Sequence, residues 1–298
     1  TMTALPGSPQ YINTMPTVYF DTDIYAAPIL GIMAAAIMFF GGITYLNHRA
    51  RKLKESGEGY GDHDDGDLHE EDDNIPSFGI AISPIIIVFV INFLLTNWWF
   101  KRPAVVDKYQ AVGGSINGTW PVIVALSVAV VFVLVSMKKH IGNRNKQVFD
   151  GSVGALLPIF NTASEVGYGG VIKSLTAFAT VKSGVVNMAI PSIFKVGFST
   201  TLLAGIVGSS SGGTAIALEV LAQDFLAMGI PGEVLHRVMI VAAGGLDSLP
   251  HCGAIITLLS VTHLTHKESY KDIAFNTILL PIVAAIVISV FYLVTGIY

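Results

Sequence analysis

Four long stretches of the sequence carry no acidic, lysine or arginine side chain, and each is long enough to cross a lipid bilayer as a helix. They run from Ile24 to Leu46, from Ile75 to Phe100, from Tyr109 to Met137 and from Ile273 to Tyr298. Hydrophobic residues make up 52% of the chain and charged residues only 13%, unlike an ordinary soluble domain. We therefore predict an all-α integral membrane protein with several transmembrane helices.

The acidic residues are concentrated in one hydrophilic segment. Ten of the 21 acidic residues lie between Glu55 and Asp73, so the net charge of -4 reflects this segment and not the apolar remainder. The segment divides the chain into three predicted parts: residues 1–46, the hydrophilic loop 47–75, and residues 76–298. Four basic residues follow the first apolar stretch, and the positive-inside rule places this loop in the cytoplasm. They are Arg49, Arg51, Lys52 and Lys54.

The sequence gives little support for metal, thiol or nucleic-acid chemistry. The single cysteine, Cys252, excludes an internal disulfide and a cysteine-cluster metal site. His63 and His69 lie among the aspartates of the hydrophilic loop, a pattern more typical of a solvated linker than of a metal site. We expect no metal, no cofactor and no nucleic-acid partner.

Residues 1–17 are rich in Pro, Gly, Ser and Thr, and we predict a non-helical stretch that leads into the first transmembrane helix. The stretch lacks the basic region of a signal peptide. It opens inside a motif, so we expect a preceding portion with further helices. The polar residues among its prolines are candidates for one half of a binding site, with an ordinary loop as the alternative: Thr3, Ser8, Gln10 and Asn13.

Two interruptions break the apolar pattern between residues 196 and 253. Residues 208–214 read Gly-Ser-Ser-Ser-Gly-Gly-Thr, a poor helix former inside an uncharged stretch. Residues 244–253 read Gly-Gly-Leu-Asp-Ser-Leu-Pro-His-Cys-Gly and combine helix breakers with a carboxylate and an imidazole. Irregular backbone is tolerated at membrane depth only where protein buries it or where it lines a cavity. Secondary transporters build their binding sites from such breaks, so the pattern predicts a transport site.

The first interruption offers hydroxyl groups and glycines as candidate substrate ligands. Its glycines allow backbone N–H groups to converge on a small anionic group. The alternative is that these small residues let two helices pack closely. The candidates are Ser209, Ser210, Ser211, Gly212, Gly213 and Thr214.

The second interruption and one further segment carry the candidate coupling groups. An unpaired charge such as Asp247 near apolar sequence costs about 3 kcal/mol, so it is paired, hydrated or protonatable. Asp247 is a candidate for the group that binds the coupling cation or proton. The alternative is that it is the N-cap of a helix that begins near Leu249. Ser248 is a candidate substrate ligand, and His251, which titrates near neutral pH, is a candidate for both roles. Glu165 is a further coupling candidate, with an interfacial position as the alternative.

His236 and Arg237 follow the helix-start pattern Pro-Gly-Glu at residues 231–233. We predict that they begin a helix at the protein surface. There Arg237 would pair with Glu233 or with a lipid phosphate.

The two ends of the chain show a weak internal similarity. Leu-Pro-Gly-Ser-Pro at residues 5–9 and Leu-Pro-His-Cys-Gly at residues 249–253 each lead through an acidic, tyrosine-containing segment to a long apolar stretch. Two related repeats would leave such a correspondence.

Several motifs together resemble the gluconate permease (GntP) family. The resemblance spans most of the chain and is strongest after residue 196. The motifs are Leu-Pro-Gly-Ser-Pro at 5–9, Ser-Ser-Ser-Gly-Gly-Thr-Ala-Ile-Ala-Leu-Glu at 209–219, Pro-Gly-Glu-Val-Leu-His-Arg at 231–237, Gly-Leu-Asp-Ser-Leu-Pro-His-Cys-Gly-Ala at 245–254 and Leu-Thr-His-Lys-Glu-Ser-Tyr at 264–270.

The resemblance implies inverted repeats, each with a re-entrant hairpin and a broken helix. Residues 208–214 would match the second hairpin tip, residues 247–253 the second broken helix and residues 3–10 the first, whereas the first hairpin has no counterpart here. The implied activity is transport, not catalysis.

The substrate implied by the resemblance is gluconate, a related sugar acid or a short hydroxy acid such as 3-hydroxybutyrate. Entry with a proton across the bacterial plasma (inner) membrane and a homodimer are further expectations. Sodium coupling, a passive anion channel and a membrane hydrolase stay open as alternatives.

Overall fold

The computed structural model describes residues 2–59, 75–109 and 119–298. These residues form helices and connecting segments, with no strand among them, which confirms the predicted all-α class. Among the described residues, four helical segments are long and apolar enough to cross a membrane, and they fall within or overlap the four uncharged stretches. They are Pro28–Glu55, Phe78–Trp99, Thr119–Ser136 and His266–Thr295. His63 and His69 of the hydrophilic loop lie outside the described residues.

The chain divides into two compact units, one of residues 1–61 with 162–298 and one of residues 62–161. The helix α6 (Arg144–Ser174) has residues in both units. The second unit further contains α3 (Phe78–Leu94), α4 (Pro103–Tyr109) and α5 (Thr119–Ser136). The first unit contains α1 (Tyr11–Phe20), α2 (Pro28–Glu55), α7 (Thr176–Val186), α8 (Ser192–Val207), α9 (Ser210–Ala227), α10 (Gly232–Ala243), α11 (Gly253–Thr262), α12 (His266–Ala274) and α13 (Leu280–Thr295).

In the second unit, α3 packs along α5. Val88 of α3 and the small residues Ala125 and Ala129 of α5 form a buried cluster. Near the end of α3, the buried Thr96 hydroxyl donates to Asn92 Oδ1 at 3.3 Å. Small residues at the contact let the two helices approach closely, and the polar pair is satisfied locally.

In the first unit, α10 is the buried central helix. Every residue from Val234 to Ala243 is buried. Val238 belongs to a core cluster with Leu30 of α2, and Met239 belongs to another with Phe225 of α9. A helix buried all round provides a fixed frame for the segments at its two ends.

The helices α8 and α9 form a tight hairpin. Gly208 ends α8 in the left-handed conformation, with φ 71°, and the Ser209 hydroxyl accepts from the Gly212 N–H at 3.3 Å to cap α9. A Cβ atom at Gly213 would lie 2.3 Å from the Ala204 backbone, so the two arms are in direct backbone contact. The predicted irregular run 208–214 is therefore wrong in extent, because only its first two residues lie outside helices.

The order of elements is the same at both ends of the first unit. An irregular segment, residues 5–10, precedes the 10-residue α1, and another, residues 244–252, precedes the 10-residue α11. We call these segments the first break and the second break. Each short helix ends at a left-handed residue, Asp21 or His263, and a long apolar helix follows. The inverted-repeat arrangement stays a prediction.

The prediction of a non-helical stretch over residues 1–17 is wrong, because α1 begins at Tyr11 and contains Pro16. The hydroxyl of Thr14 bonds the Tyr11 carbonyl at 2.8 Å, and that of Thr17 bonds the Thr14 carbonyl at 2.6 Å. These hydroxyls satisfy the buried polar groups of α1 locally. Helix α2 also extends beyond the predicted Leu46, to Glu55, since the intervening basic residues favour helix.

Helix α2 packs on the last span, which consists of α12, a π-helical segment (Phe275–Leu279) and α13. The Tyr45 ring stacks on Phe275 with 3.7 Å between ring centroids. The Tyr45 hydroxyl donates to Asp272 Oδ1 at 2.6 Å, and Arg49 Nε lies 2.9 Å from the same oxygen. These contacts fix the register of the two longest apolar helices.

We expect Arg49→Ala to lower the free energy of unfolding by less than about 1 kcal/mol, because partly exposed ion pairs contribute little. The side chains of Arg49 and Asp272 are 28% and 23% exposed. Thermal unfolding in detergent at low and high salt measures the effect, which should shrink at high salt. Arg51→Ala, at an exposed position of the same helix, is the control. A large, salt-independent loss would contradict this assignment.

Candidate functional site

A cavity of about 380 Å³ lies in the first unit, and we call it the Asp247 cavity. Its wall combines residues of the second break and residues that flank the first break with residues of α2, α9, α10 and the last span. The polar lining residues are Thr3, Ser210, Asp247, Ser248, Asn276 and Thr277. The larger apolar lining residues are Ile12, Met38, Phe39, Ile43, Leu46, Ile240, Val241 and Pro281.

Asp247 connects the second break to the hairpin. The Ser248 hydroxyl donates to Asp247 Oδ1 at 2.7 Å, and the Ser210 hydroxyl at the start of α9 is a further hydrogen-bond partner of the carboxylate. Asp247 is also the one ionisable side chain among the described residues that line the cavity. A carboxylate flanked by hydroxyl oxygens in a mostly apolar wall is suited to bind a small cation.

The alternative interpretation of Asp247 as a helix N-cap is wrong. Helix α11 begins at Gly253, and its N-cap residue is Cys252. The irregular segment covers residues 244–252, close to the predicted 244–253, and it packs tightly at its start: a Cβ atom at Gly245 would lie 2.9 Å from side-chain atoms of Ile282 and Thr201. Asp247 therefore lines the cavity and does not cap α11.

The hydroxyls of the hairpin tip have different surroundings. Ser210 lines the cavity. The hydroxyls of Ser209 and Ser211 lie 3.1 Å apart, and Ser209 also caps α9. Thr214 is fully buried, and its hydroxyl has no hydrogen-bond partner among the described residues. The close packing at Gly213 fits the alternative that these small residues let two helices approach closely. Ser210, in contrast, is placed for contact with a ligand.

His251 lies beside the hairpin turn and is not among the residues that line the Asp247 cavity. Its Nε2 is 3.1 Å from the Gly205 carbonyl oxygen, and its ring lies against Gly208. His251 therefore holds the second break to the end of α8. Glu165 belongs to α6, and its side chain lies outside the part of the structure that is described.

The first break contributes to the cavity through its preceding turn. Thr3 lines the cavity, and its hydroxyl donates to Gln10 Oε1 at 2.6 Å. Ser8 and Asn13 are fully buried, and Asn13 Nδ2 donates to the Ser8 carbonyl at 2.9 Å. The Ser8 hydroxyl has no hydrogen-bond partner among the described residues. Of the four polar candidates near the N-terminus, Thr3, Ser8, Gln10 and Asn13, Thr3 is the one that lines the cavity.

The predicted surface position of His236 and Arg237 is wrong, because both side chains are 0% exposed. Both residues do lie in the first half of a helix, α10, which begins at Gly232 within the Pro-Gly-Glu pattern, but this helix lies inside the unit. The sequence carries a signal for this position: the six residues that follow Arg237 are all apolar, so the second half of the helix has no polar face for water. Asn276 and Thr277, which also line the cavity, are polar residues within the last uncharged stretch and were not predicted.

The fold and the site define a multi-pass membrane protein with a partly polar cavity between apolar helices and helix breaks. No protein-family model matches the chain, and no solved structure matches it. The chain is 38% identical over an alignment of 319 positions to the "Uncharacterized transporter YxjC" of Bacillus subtilis (strain 168). The alignment covers 99% of this chain and 67% of that protein. The chain belongs to the same transporter family as YxjC.

Proposed function

We propose that the protein is a secondary active transporter that carries a small organic monoanion across the bacterial plasma membrane together with a proton bound at Asp247. The observation that supports this proposal is the Asp247 cavity, where one carboxylate joins the hairpin tip to the second break. The resemblance to the gluconate permease family suggests a sugar acid or a short hydroxy acid as the substrate.

The charge of the lining side chains supports coupled binding of an anion and a cation. The lining residues supply one carboxylate and no basic side chain among the described residues. Two like charges about 5 Å apart repel by about 3 kcal/mol at an effective dielectric constant of about 20. A cation on Asp247 removes this repulsion, so each ligand favours the binding of the other, and the coupling is reciprocal.

The composition of the wall supports a small substrate with both polar and apolar parts. Ser210, Ser248, Asn276 and Thr277 offer hydrogen bonds, whereas Phe39 and other side chains of α2 and α10 offer apolar contact. A short hydroxy acid such as 3-hydroxybutyrate has one carboxylate, one hydroxyl and an apolar end. It can therefore contact both the hydrogen-bonding and the apolar residues of the wall. Gluconate carries hydroxyls along its whole length and would leave more of them facing apolar side chains.

Three alternatives predict different observations. Sodium would also suit the oxygen atoms of Asp247, Ser210 and Ser248, and it would couple to a sodium gradient. A passive channel would give flux that depends on neither gradient. A hydrolase would require a hydrogen bond between the Ser248 hydroxyl and His251. Instead, Ser248 donates to Asp247 and His251 bonds the Gly205 carbonyl, which does not favour hydrolysis.

The test is uptake of radiolabelled 3-hydroxybutyrate and gluconate into proteoliposomes that hold the full-length protein. We expect accumulation under an inward proton gradient, with 3-hydroxybutyrate preferred, and little under an inward sodium gradient. Liposomes without protein are the control. Accumulation driven by sodium alone would mean that sodium, and not a proton, is the coupling ion. Absence of uptake for both acids would reject the substrate class.

A further inference from the structure

We propose that Arg237 is a positioning residue that holds the residues flanking the first break against α10 and so fixes the wall of the Asp247 cavity formed by Thr3 and Ala4. The proposal rests on the proposed function only in treating this cavity as the substrate site. Arg237 itself is not among the residues that line the cavity, and its contacts join parts of the chain more than 200 residues apart.

Arg237 uses its whole hydrogen-bonding capacity on the segment around the first break. Nε donates to the Ala26 carbonyl at 2.9 Å, and Nη2 donates to the carbonyls of Ala26 at 2.6 Å and Ile24 at 3.2 Å. Nη1 donates to the Ala4 carbonyl at 3.1 Å and to Asn13 Oδ1 at 3.4 Å. A guanidinium group has five N–H donors, and each of the five has an acceptor here.

Two neighbouring side chains extend this network. Asn13 Nδ2 donates to the carbonyls of Ser8 at 2.9 Å and Ile24 at 3.0 Å, which leaves its Oδ1 as the acceptor for Arg237. His236 Nε2 lies 3.1 Å from the same oxygen, so Nε2 carries the proton in this contact. His236 Nδ1 is 2.8 Å from the Thr22 hydroxyl. The network therefore reaches both ends of the segment from the first break to the start of α2.

The Arg237 network is connected to the Asp247 cavity in two ways. Ala4, whose carbonyl accepts from Arg237, lines the cavity together with Thr3. On α10, the cavity-lining residues Ile240 and Val241 lie three and four positions after Arg237, and this spacing places them on the same helical face. Movement of the Arg237 side chain is therefore transmitted to the cavity wall without any contact with the ligand.

A lysine could not replace this arginine. Lys carries a compact ammonium group with three donors, whereas the carbonyls of Ala4, Ile24 and Ala26 are spread around a planar group with five. Arg237→Lys keeps the positive charge but leaves buried carbonyls without donors. The substitution therefore tests the geometry of the contact separately from its charge.

The second break is held differently. Its carbonyls accept single bonds from α12: Tyr270 donates to the Ser248 carbonyl at 3.0 Å, and His266 Nε2 lies 3.0 Å from the Pro250 carbonyl. Neither bond involves α10 or Arg237. A loss of the Arg237 network should therefore release the first break and leave the second break in place, and this difference provides an internal control.

The experiment measures the labelling rate of a single cysteine by a maleimide in the purified full-length protein, in a background without other cysteines. We expect Arg237→Lys to speed labelling of Thr3→Cys by about tenfold, because the first break opens more often, and to change labelling of Ser248→Cys by less than about twofold. Thr22→Val, which removes only the outer contact of the network, should leave the Thr3→Cys rate within about twofold.

Each outcome decides the proposal. An unchanged rate at Thr3→Cys, or equal acceleration at both positions, would overturn it, since the second result indicates general unfolding. If Arg237→Lys gives no folded protein, Asn13→Ser, which removes the side-chain bonds to Ser8 and Ile24, is judged by the same two rates. The readout requires no transport, so failure of the uptake experiment and failure of this proposal are separate results.

Discussion

Asp247→Asn is expected to abolish gradient-driven accumulation of substrate in proteoliposomes while leaving exchange of substrate across the membrane intact. Asparagine has nearly the same shape as aspartate but cannot bind a proton or balance a cation. The repulsion between the carboxylate and the anionic substrate also disappears, so the anion binds without its partner. We expect uptake to stop at equal substrate concentrations on the two sides of the membrane, because a carrier that binds no proton is not driven by the proton gradient.

Ser248→Ala is the matched control for this substitution. It removes the hydroxyl that donates to Asp247 Oδ1 at 2.7 Å but keeps the carboxylate. We expect weaker uptake that still depends on the gradient. Full gradient-driven accumulation by Asp247→Asn would contradict the assignment of the coupling site to this residue.

Gly213→Ala is expected to destabilise the protein strongly, although it adds only one methyl group. The added Cβ atom would lie 2.3 Å from the Ala204 nitrogen and Cα and 2.8 Å from its Cβ. These are mostly backbone atoms of the facing arm, which cannot move aside as a flexible side chain can. We expect a loss of about 3 kcal/mol or more, at the upper end of the cost of overpacking, or no folded protein.

Gly197→Ala, in the same hairpin, is the control. Its added Cβ atom would meet the nearest atoms, in Ala242 and Val238, at 3.8 and 3.9 Å, which is ordinary contact. Helix propensity alone should then stabilise α8 by roughly 0.5–1 kcal/mol. Thermal unfolding in detergent measures both variants, and equal midpoints for the two would refute the close contact between the hairpin arms.

The fold class and the helix break around Asp247, which lines the candidate site, could be predicted from the sequence. Uncharged stretches long enough to span a bilayer mark the four long helices, since charge and length decide that outcome locally. The break around Asp247 was also predictable, because Gly244, Gly245 and Pro250 are poor helix formers whatever their neighbours are. These features depend on residue type and spacing along the chain.

Other features depend on contacts between distant residues. The helical start of α9 at Ser210 follows from the Ser209 cap and the close contact of Gly213, which override the low helix propensity of this run. The burial of Arg237 depends on carbonyl groups near the first break, more than 200 residues away. Spacing within one helix cannot indicate such a partner, so the surface position predicted for Arg237 was wrong.

The most direct test of the central claim is whether substrate protects the Asp247 cavity from chemical modification. In the full-length protein without other cysteines, Thr277→Cys lies in this cavity and Ser289→Cys lies in a separate apolar cavity. We predict that saturating 3-hydroxybutyrate, at low pH, slows maleimide labelling of Thr277→Cys and leaves that of Ser289→Cys unchanged. Unaltered labelling of Thr277→Cys under conditions that support uptake would contradict the assignment of this cavity as the substrate site.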